Sequence, residues 1–330
     1  MELCGRNRHI FGMAITRHLA ELILTEHRFR KISGRVLLLG RQTVFMTPEE
    51  VQALVLKVGL EVRPTARIDH CTMPHGKRNG YIADASFFSL FTDAVVEACD
   101  VTDYEGAEHI FDLSRELPGH LRGAFDFIYN GSVLDNVFDP AACLRNTTRM
   151  LKPEATIFHY EGSVHWGTAY LKMSPDWFFD YYALNGFTDI QAYVCAYTDV
   201  HASPWDIYEW SAYAMDGAKA MPPGNLSPPK EQLMVTIAQN GPGTSIDRTP
   251  IQNVYRPDHT AYREAFDRVA KSARRSFFRE AAAASNPEEA RRTAPRRSLL
   301  KPWRKPPLSA PPGYRRLGVL GVPRAPETWL

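Results

Sequence analysis

Apolar residues recur along this chain with two periods, and the alternation between them describes an α/β protein. Residues 35–40 (RVLLLG), 94–100 (AVVEACD), 107–112 (AEHIFD), 125–129 (FDFIY) and 156–160 (TIFHY) are short apolar runs, the pattern of strands buried on both faces. Helical spacing fills the gaps. Val51, Leu54, Val55 and Val58 repeat on one helical face behind Thr47, Pro48 and Glu50, which form a capping box, and Gly59 ends the helix. Asp139 and Pro140 open a second helix whose Leu144, Thr148 and Leu151 share a face; Lys152 and Pro153 stop it. Strand, helix, strand with tight joints is a parallel crossover unit.

Farther along, Ser174, Pro175 and Asp176 start a helix that Gly186 ends, and residues 187–197 and 233–238 form the sixth and seventh strands, an antiparallel pair. Residues 10–29 carry an amphipathic helix that leads into the first strand, residues 86–91 a short helix, and residues 260–284 a long one. Residues 61–84 are polar and weakly periodic; His70, Cys71 and His75 fall there in what reads as a surface loop. Residues 241–256 (GPGTSIDRTPIQNVYR) read as a structured loop, to which the pattern assigns no role.

Charge divides the chain. Residues 286–330 hold ten Lys or Arg against three Glu, and nine of the 24 prolines, whereas the preceding residues carry a net charge of −5. The expected organisation is a lead-in helix over 1–34, a main domain over 35–258, a C-terminal helix over 259–285 and a basic, Pro-rich disordered tail over 286–330. Such a tail suits a flexible linker more than a nucleic-acid-binding arm. The five cysteines are scattered without a CxxC pair, which argues against a disulfide framework or a zinc ribbon. No apolar run approaches a membrane span and no signal pattern opens the chain, so a cytoplasmic protein is expected.

The stretch FDFIYNGSVLDNVFDPAACLRNTTRMLKP resembles the fourth strand and following helix of class I S-adenosylmethionine-dependent methyltransferases. Phe125, Asp126, Leu134, Val137, Asp139, Pro140, Leu144, Arg149, Leu151, Lys152 and Pro153 match the pattern FDxIxxxxxLxHVxDPxxxLxxxxRxLKPGG; Asn136 replaces a His, and Glu154 and Ala155 replace a Gly pair. The segment VTDYEGAEHIFDL and the PxQxxYR ending of the 241–256 loop are similar to a bacterial methyltransferase-like subgroup. This resemblance implies a Rossmann-like seven-stranded methyltransferase sheet of order 3-2-1-4-5-7-6 with flanking helices, S-adenosylmethionine as cofactor, and O-methylation of a small molecule or glycan as activity. The family's first motif, VLDxGxGxG, is degenerate here: Leu38 takes the acidic position, and Gly40 is the one glycine kept before Arg41, Gln42 and Thr43.

The resemblance places the cofactor against Gly40, Gln42, Asp100, Asp112, Asn130, Gly131 and Ser132. Gln42 offers a carbonyl oxygen where the acid is missing, Asp100 ends the second strand where a carboxylate accepts from ribose hydroxyls, and Asp112 stands where relatives hold the adenine amine. A hydroxyl acceptor needs a base near the ends of the fourth and fifth strands, and Asp135, His159 and His165 are the candidates. His165 lies among aromatic residues able to stack on a ring or a sugar. Two other readings stand beside this one: a non-catalytic methyltransferase-fold binding or scaffold module, and a nicotinamide-dependent oxidoreductase, which would also require a Gly-rich first turn.

Overall fold

The computed structural model describes residues 14–164, 169–210, 231–252, 255, 260–285 and 314–320. In chain order the first elements are β1 (Ala14–Ile15), α1 (Arg17–Phe29), β2 (Arg35–Leu39), β3 (Thr43–Val44), α2 (Pro48–Lys57), α3 (Pro74–Arg78), β4 (Ile82–Ala83) and α4 (Asp84–Ser89). There follow β5 (Val95–Asp100), β6 (His109–Ile110), β7 (Phe125–Gly131), α5 (Pro140–Met150), β8 (Leu151–Val164), α6 (Pro175–Leu184) and β9 (Thr188–Tyr197). The last are β10 (Trp205–Trp210), β11 (Glu231–Gln239), α7 (Thr260–Ala270), α8 (Ala273–Ser285) and β12 (Tyr314–Leu320).

One nine-stranded sheet organises the molecule, in the order β12-β10-β9-β11-β8-β7-β2-β5-β6. From β6 to β8 neighbouring strands run parallel, and β11 pairs antiparallel with both β8 and β9. Counting β2 as strand one, the seven strands from β6 to β9 run 3-2-1-4-5-7-6. That is the class I methyltransferase sheet, extended at its β9 edge by β10 and β12. A small separate sheet, β1-β3-β4, sits beside the start of α1. No described helix is long and apolar enough to cross a membrane.

Both faces of the large sheet are covered, which is why its strands read as continuous apolar runs. Val36, Leu38, Phe127, Tyr129 and Phe158 point to one face and pack with α1, α2 and Phe278 of α8. Leu37, Leu39, Ile128 and Ile157 point to the other, against α5, α6 and α7. Helix α2 has the expected capping box, with the Thr47 hydroxyl accepting from Glu50 N and the Glu50 carboxylate from Thr47 N at 2.8 Å. Asp139 caps α5 by accepting from Ala142 N at 3.0 Å.

Several boundaries differ from the sequence expectation, four of them for a visible reason. The lead-in helix starts at Arg17 rather than near residue 10, because residues 14–15 pair with β3 and Thr16 caps the helix. The third strand shrinks to two residues, since the Glu108 carboxylate takes the Ala98 N–H at 2.7 Å that a longer ladder would use. The helix over 260–284 is broken: Ser272 bonds Asp189 and caps α8 by accepting from Arg275 N at 3.3 Å. The tail expected to be disordered contains β12, which pairs antiparallel with β10 from Trp205↔Leu320 to Trp210↔Tyr314. Ladder hydrogen bonds order this strand, a contribution that composition does not register.

An enclosed ion cluster ties α8 to the body. Arg274, fully buried, forks onto Glu26 of α1 through two 2.9 Å bonds, donates to Asp189 O at 2.9 Å, and pairs with the Asp189 carboxylate. Burial raises Glu26 above its usual value against the pull of Arg274. Sequence pattern offered no hint that residues 26, 189 and 274 would meet.

Candidate active-site crevice at the ends of β2, β5 and β7

In an open α/β sheet the ligand crevice lies beyond the carboxyl ends of the strands, where the strand order reverses. Here that point falls between β2 and β7. The chain leaves β2 through Gly40, whose φ of +69° suits a residue without a Cβ. The next two residues are pinned. Gln42 N donates to the Asp84 carboxylate at 2.7 Å, and Arg41 reaches Asp84 and Gly106 O at 3.3 Å each, as well as Glu108. Burial raises the Asp84 carboxyl, while Arg41 and two backbone amides draw it down. The sequence reading missed Asp84 because it closes a polar stretch with little periodicity.

Gln42 is buried and lies across the crevice. Its Nε2 donates to Leu39 O at 3.4 Å and Gly40 O at 3.2 Å. Those two carbonyls fix which end of the amide faces them, so Oε1 points the other way, and it has no hydrogen-bond partner. It faces Gly131: a Cβ there would fall 2.4 Å from Gln42 Oε1 and 2.8 Å from the Tyr129 ring. The Tyr129 hydroxyl is likewise buried and unpartnered. An unsatisfied oxygen thus faces this glycine, where a buried acceptor without a donor costs about 1–3 kcal/mol. A cationic donor entering there would recover that cost.

Asp100 ends β5 on the rim of the crevice, its Oδ1 accepting from Val101 N at 2.6 Å and Thr102 N at 3.2 Å. Asp112 is half exposed, bonded to Ser114 and paired with Arg115 at 3.5 Å, and the Ser114 bonds hold its carboxyl below the usual range.

The remaining candidates form a polar cluster under the ends of β7 and β8. Asn130 is saturated: its amide donates to His159 Nδ1 at 2.9 Å and to Glu161, and its Oδ1 accepts from Val133 N at 3.1 Å. His159 Nε2 donates to the Tyr182 hydroxyl at 2.5 Å. Burial lowers the imidazole to about 3, so it is neutral. Asp135, also buried, accepts from Ser132 Oγ at 2.9 Å, Asn136 Nδ2 at 2.8 Å and Gly162 N at 3.0 Å. Ser132 takes a left-handed φ of 63°, held by this bond. Asn130, His159 and Asp135 are therefore linked to one another, not presented to a ligand. His165 lies outside the described residues.

At the centre of the cluster is Glu161, which the sequence reading did not select. It accepts from Leu134 N and Asp135 N at 3.2 Å each, as well as from Asn130. Burial and the neighbouring Asp135 raise its carboxyl well above the usual value. Its signal was available, because residues 159 and 161 alternate with Phe158 and Tyr160 along β8 and so share a face.

No protein-family model matches the chain, and no curated protein matches it. Solved structures do resemble it. The phosphoethanolamine N-methyltransferase 2 of Haemonchus contortus, bound to phosphomonomethylethanolamine and S-adenosylhomocysteine, is 14% identical over 67% of this chain, with a TM-score of 0.35. This chain spans 52% of the length of that enzyme. The 1,6-didemethyltoxoflavin-N1-methyltransferase of Burkholderia thailandensis is 12% identical, covering 67% of this chain and 76% of its own, with a TM-score of 0.31. A Zn-dependent alcohol dehydrogenase from Rhodobacter sphaeroides, named as putative, is 12% identical over 47% of this chain and 51% of its own, with a TM-score of 0.25. These likenesses are distant. The class I methyltransferase fold of this chain rests on its own strand order and on β11, the one reversed strand among the seven from β6 to β9.

Proposed function

We propose that the protein is an S-adenosylmethionine-dependent methyltransferase that methylates a hydroxyl of a small molecule or glycan. The observation that carries this reading is the unpartnered Oε1 of Gln42 facing Gly131 at the strand-order reversal. A buried carbonyl oxygen at that place suits the methionine ammonium, replacing the acid that the first motif lacks. In this reading Gln42, Gly40 and Gly131 border the methionine part, Asp100 the ribose, and Asp112 the adenine edge. The bound cofactor supplies an electrophilic methyl group, and the protein contributes orientation of the acceptor. With His159 held neutral near 3 and Asp135 spent on three donors, these two act as positioning residues. Proton removal then falls to His165.

A second reading is favoured by the same loop. Arg41 and Gln42 are fixed by Asp84, Gly106 and Glu108, and the Gln42 side chain itself fills space beside Gly131. A non-catalytic module with a closed crevice has this appearance as well. Thermal shift with S-adenosylmethionine, S-adenosylhomocysteine and NAD separates the two. Ligand at ~100 times its dissociation constant stabilises the fold by about 2.7 kcal/mol. Stabilisation by both adenosyl ligands, lost in Gln42→Ala and in Asp100→Ala, supports the enzyme; a subsequent acceptor screen with His165→Ala tests the base. No shift with either ligand at millimolar concentration removes the cofactor and leaves the binding module.

A further inference from the structure

The loop over residues 241–252, to which the apolar pattern assigns no role, is a strap laced onto helices α5 and α6. Arg149 pairs with Asp247 at 2.8 Å, the Tyr181 hydroxyl donates to Ile246 O at 3.1 Å, Asn185 Nδ2 donates to Arg248 O at 2.9 Å, and Arg145 donates to the Thr249 hydroxyl at 2.9 Å. Between the strap and the two helices it leaves a cavity of about 380 Å³. That volume lies in the range of small-molecule sites. The crevice at the ends of β2 and β7 contributes none of its lining.

Its walls define what it accepts. Leu144 and Ala141 come from α5, the rings of Trp177 and Tyr181 from α6, and Pro250 from the strap. The polar groups beside them are mostly engaged already. The Tyr181 hydroxyl is used by Thr148 and Ile246 O, Arg145 by Thr249, and Asp176 and Asp180 have partners of their own. A sugar needs many new hydrogen bonds and would find few groups free to make them. A flat ring carrying one or two hydroxyls needs an apolar slot with aromatic walls and one or two polar contacts at its edge, and Gln252 and Ser174 on the lining provide the contacts.

We propose that this cavity is a binding site for a small hydroxylated aromatic molecule of the phenol or catechol class, separate from the crevice. The inference does not depend on methyl transfer, and its test uses no adenosyl ligand. Phenol, catechol and glucose are titrated into the full chain and followed by saturation-transfer NMR. Two variants accompany the wild type: Trp177→Ala, which removes one ring wall, and Ala141→Leu, which fills the slot from a half-exposed helix position. Circular dichroism confirms that each variant is folded. The expected result is saturable binding of phenol and catechol in the millimolar range or tighter, weakened at least ~10-fold by either substitution, with no binding of glucose. The proposal is overturned if neither aromatic binds at ~10 mM, if both variants bind them as the wild type does, or if glucose is the ligand retained.

Discussion

Replacing Glu161 with Gln tests whether the centre of the polar cluster is a neutral acid. In the folded protein burial and Asp135 raise this carboxyl far above its ordinary 4.5, whereas in the unfolded chain it ionises near that value. The native state therefore keeps a proton that the unfolded state releases. The stability this group contributes is fully present below pH 4.5 and is lost as pH rises through the folded value. One such proton gives a slope of about 1.4 kcal/mol per pH unit. Gln carries no proton, so the variant lacks this slope. It does lose the bond that Glu161 accepts from Asp135 N at 3.2 Å, because an amide NH₂ then faces an N–H donor. That loss costs about 1 kcal/mol at every pH. Glu161→Gln should thus be the less stable protein at pH 4.5 and should close the gap as pH rises, by up to about 1.4 kcal/mol per unit. Urea unfolding of both proteins at half-unit steps from pH 4.5 to 8 measures the difference directly. Two parallel stability curves would refute the reasoning, since they would mean that Glu161 ionises alike in both states.

Arg274→Ala leaves Glu26 buried without its fork and should cost about 3–5 kcal/mol in urea unfolding, while Arg274→Met, which keeps the packing, should recover part of that; a loss below about 1 kcal/mol in Arg274→Ala would count against the pairing. In Gly131→Ala the new methyl group meets Gln42 Oε1 and the Tyr129 ring, so thermal unfolding should show a loss of about 1–3 kcal/mol. Adding Gln42→Ala should relieve part of it, and no relief would place the clash elsewhere. Asp139→Ala removes the cap of α5 and should lower stability by about 1 kcal/mol without altering adenosyl-ligand binding, as a thermal shift with and without ligand would record.

Local chemistry made much of this fold legible from sequence. The run from Phe125 to Pro153 carries its own strand, cap, helix and stop, and the structure reproduces β7, the Asp139 cap and α5 within a residue or two. The parallel half of the sheet follows, because each crossover is built from neighbours in the chain. The two added strands were not legible. β12 pairs with β10 across more than a hundred residues, and its tail has the composition of a linker. Its order comes from an open sheet edge elsewhere in the molecule.

The site divides in the same way. Which residues end the strands (Gly40, Asp100, Asn130) was determined by the sequence, since a strand ends where its apolar run ends. Which of their atoms remain available was decided by tertiary structure alone. Asn130 and His159, plausible ligand groups in isolation, are spent on each other and on Glu161 and Tyr182, because the β7–β8 pairing sets them side by side. Gln42 is left with an oxygen unsatisfied, because Asp84, forty-two residues away, holds its backbone while Leu39 and Gly40 hold the amide nitrogen. Hydrogen bonds between residues distant in the chain depend on how strands and helices pack, and apolar periodicity records which face is buried, not which donor meets which acceptor there.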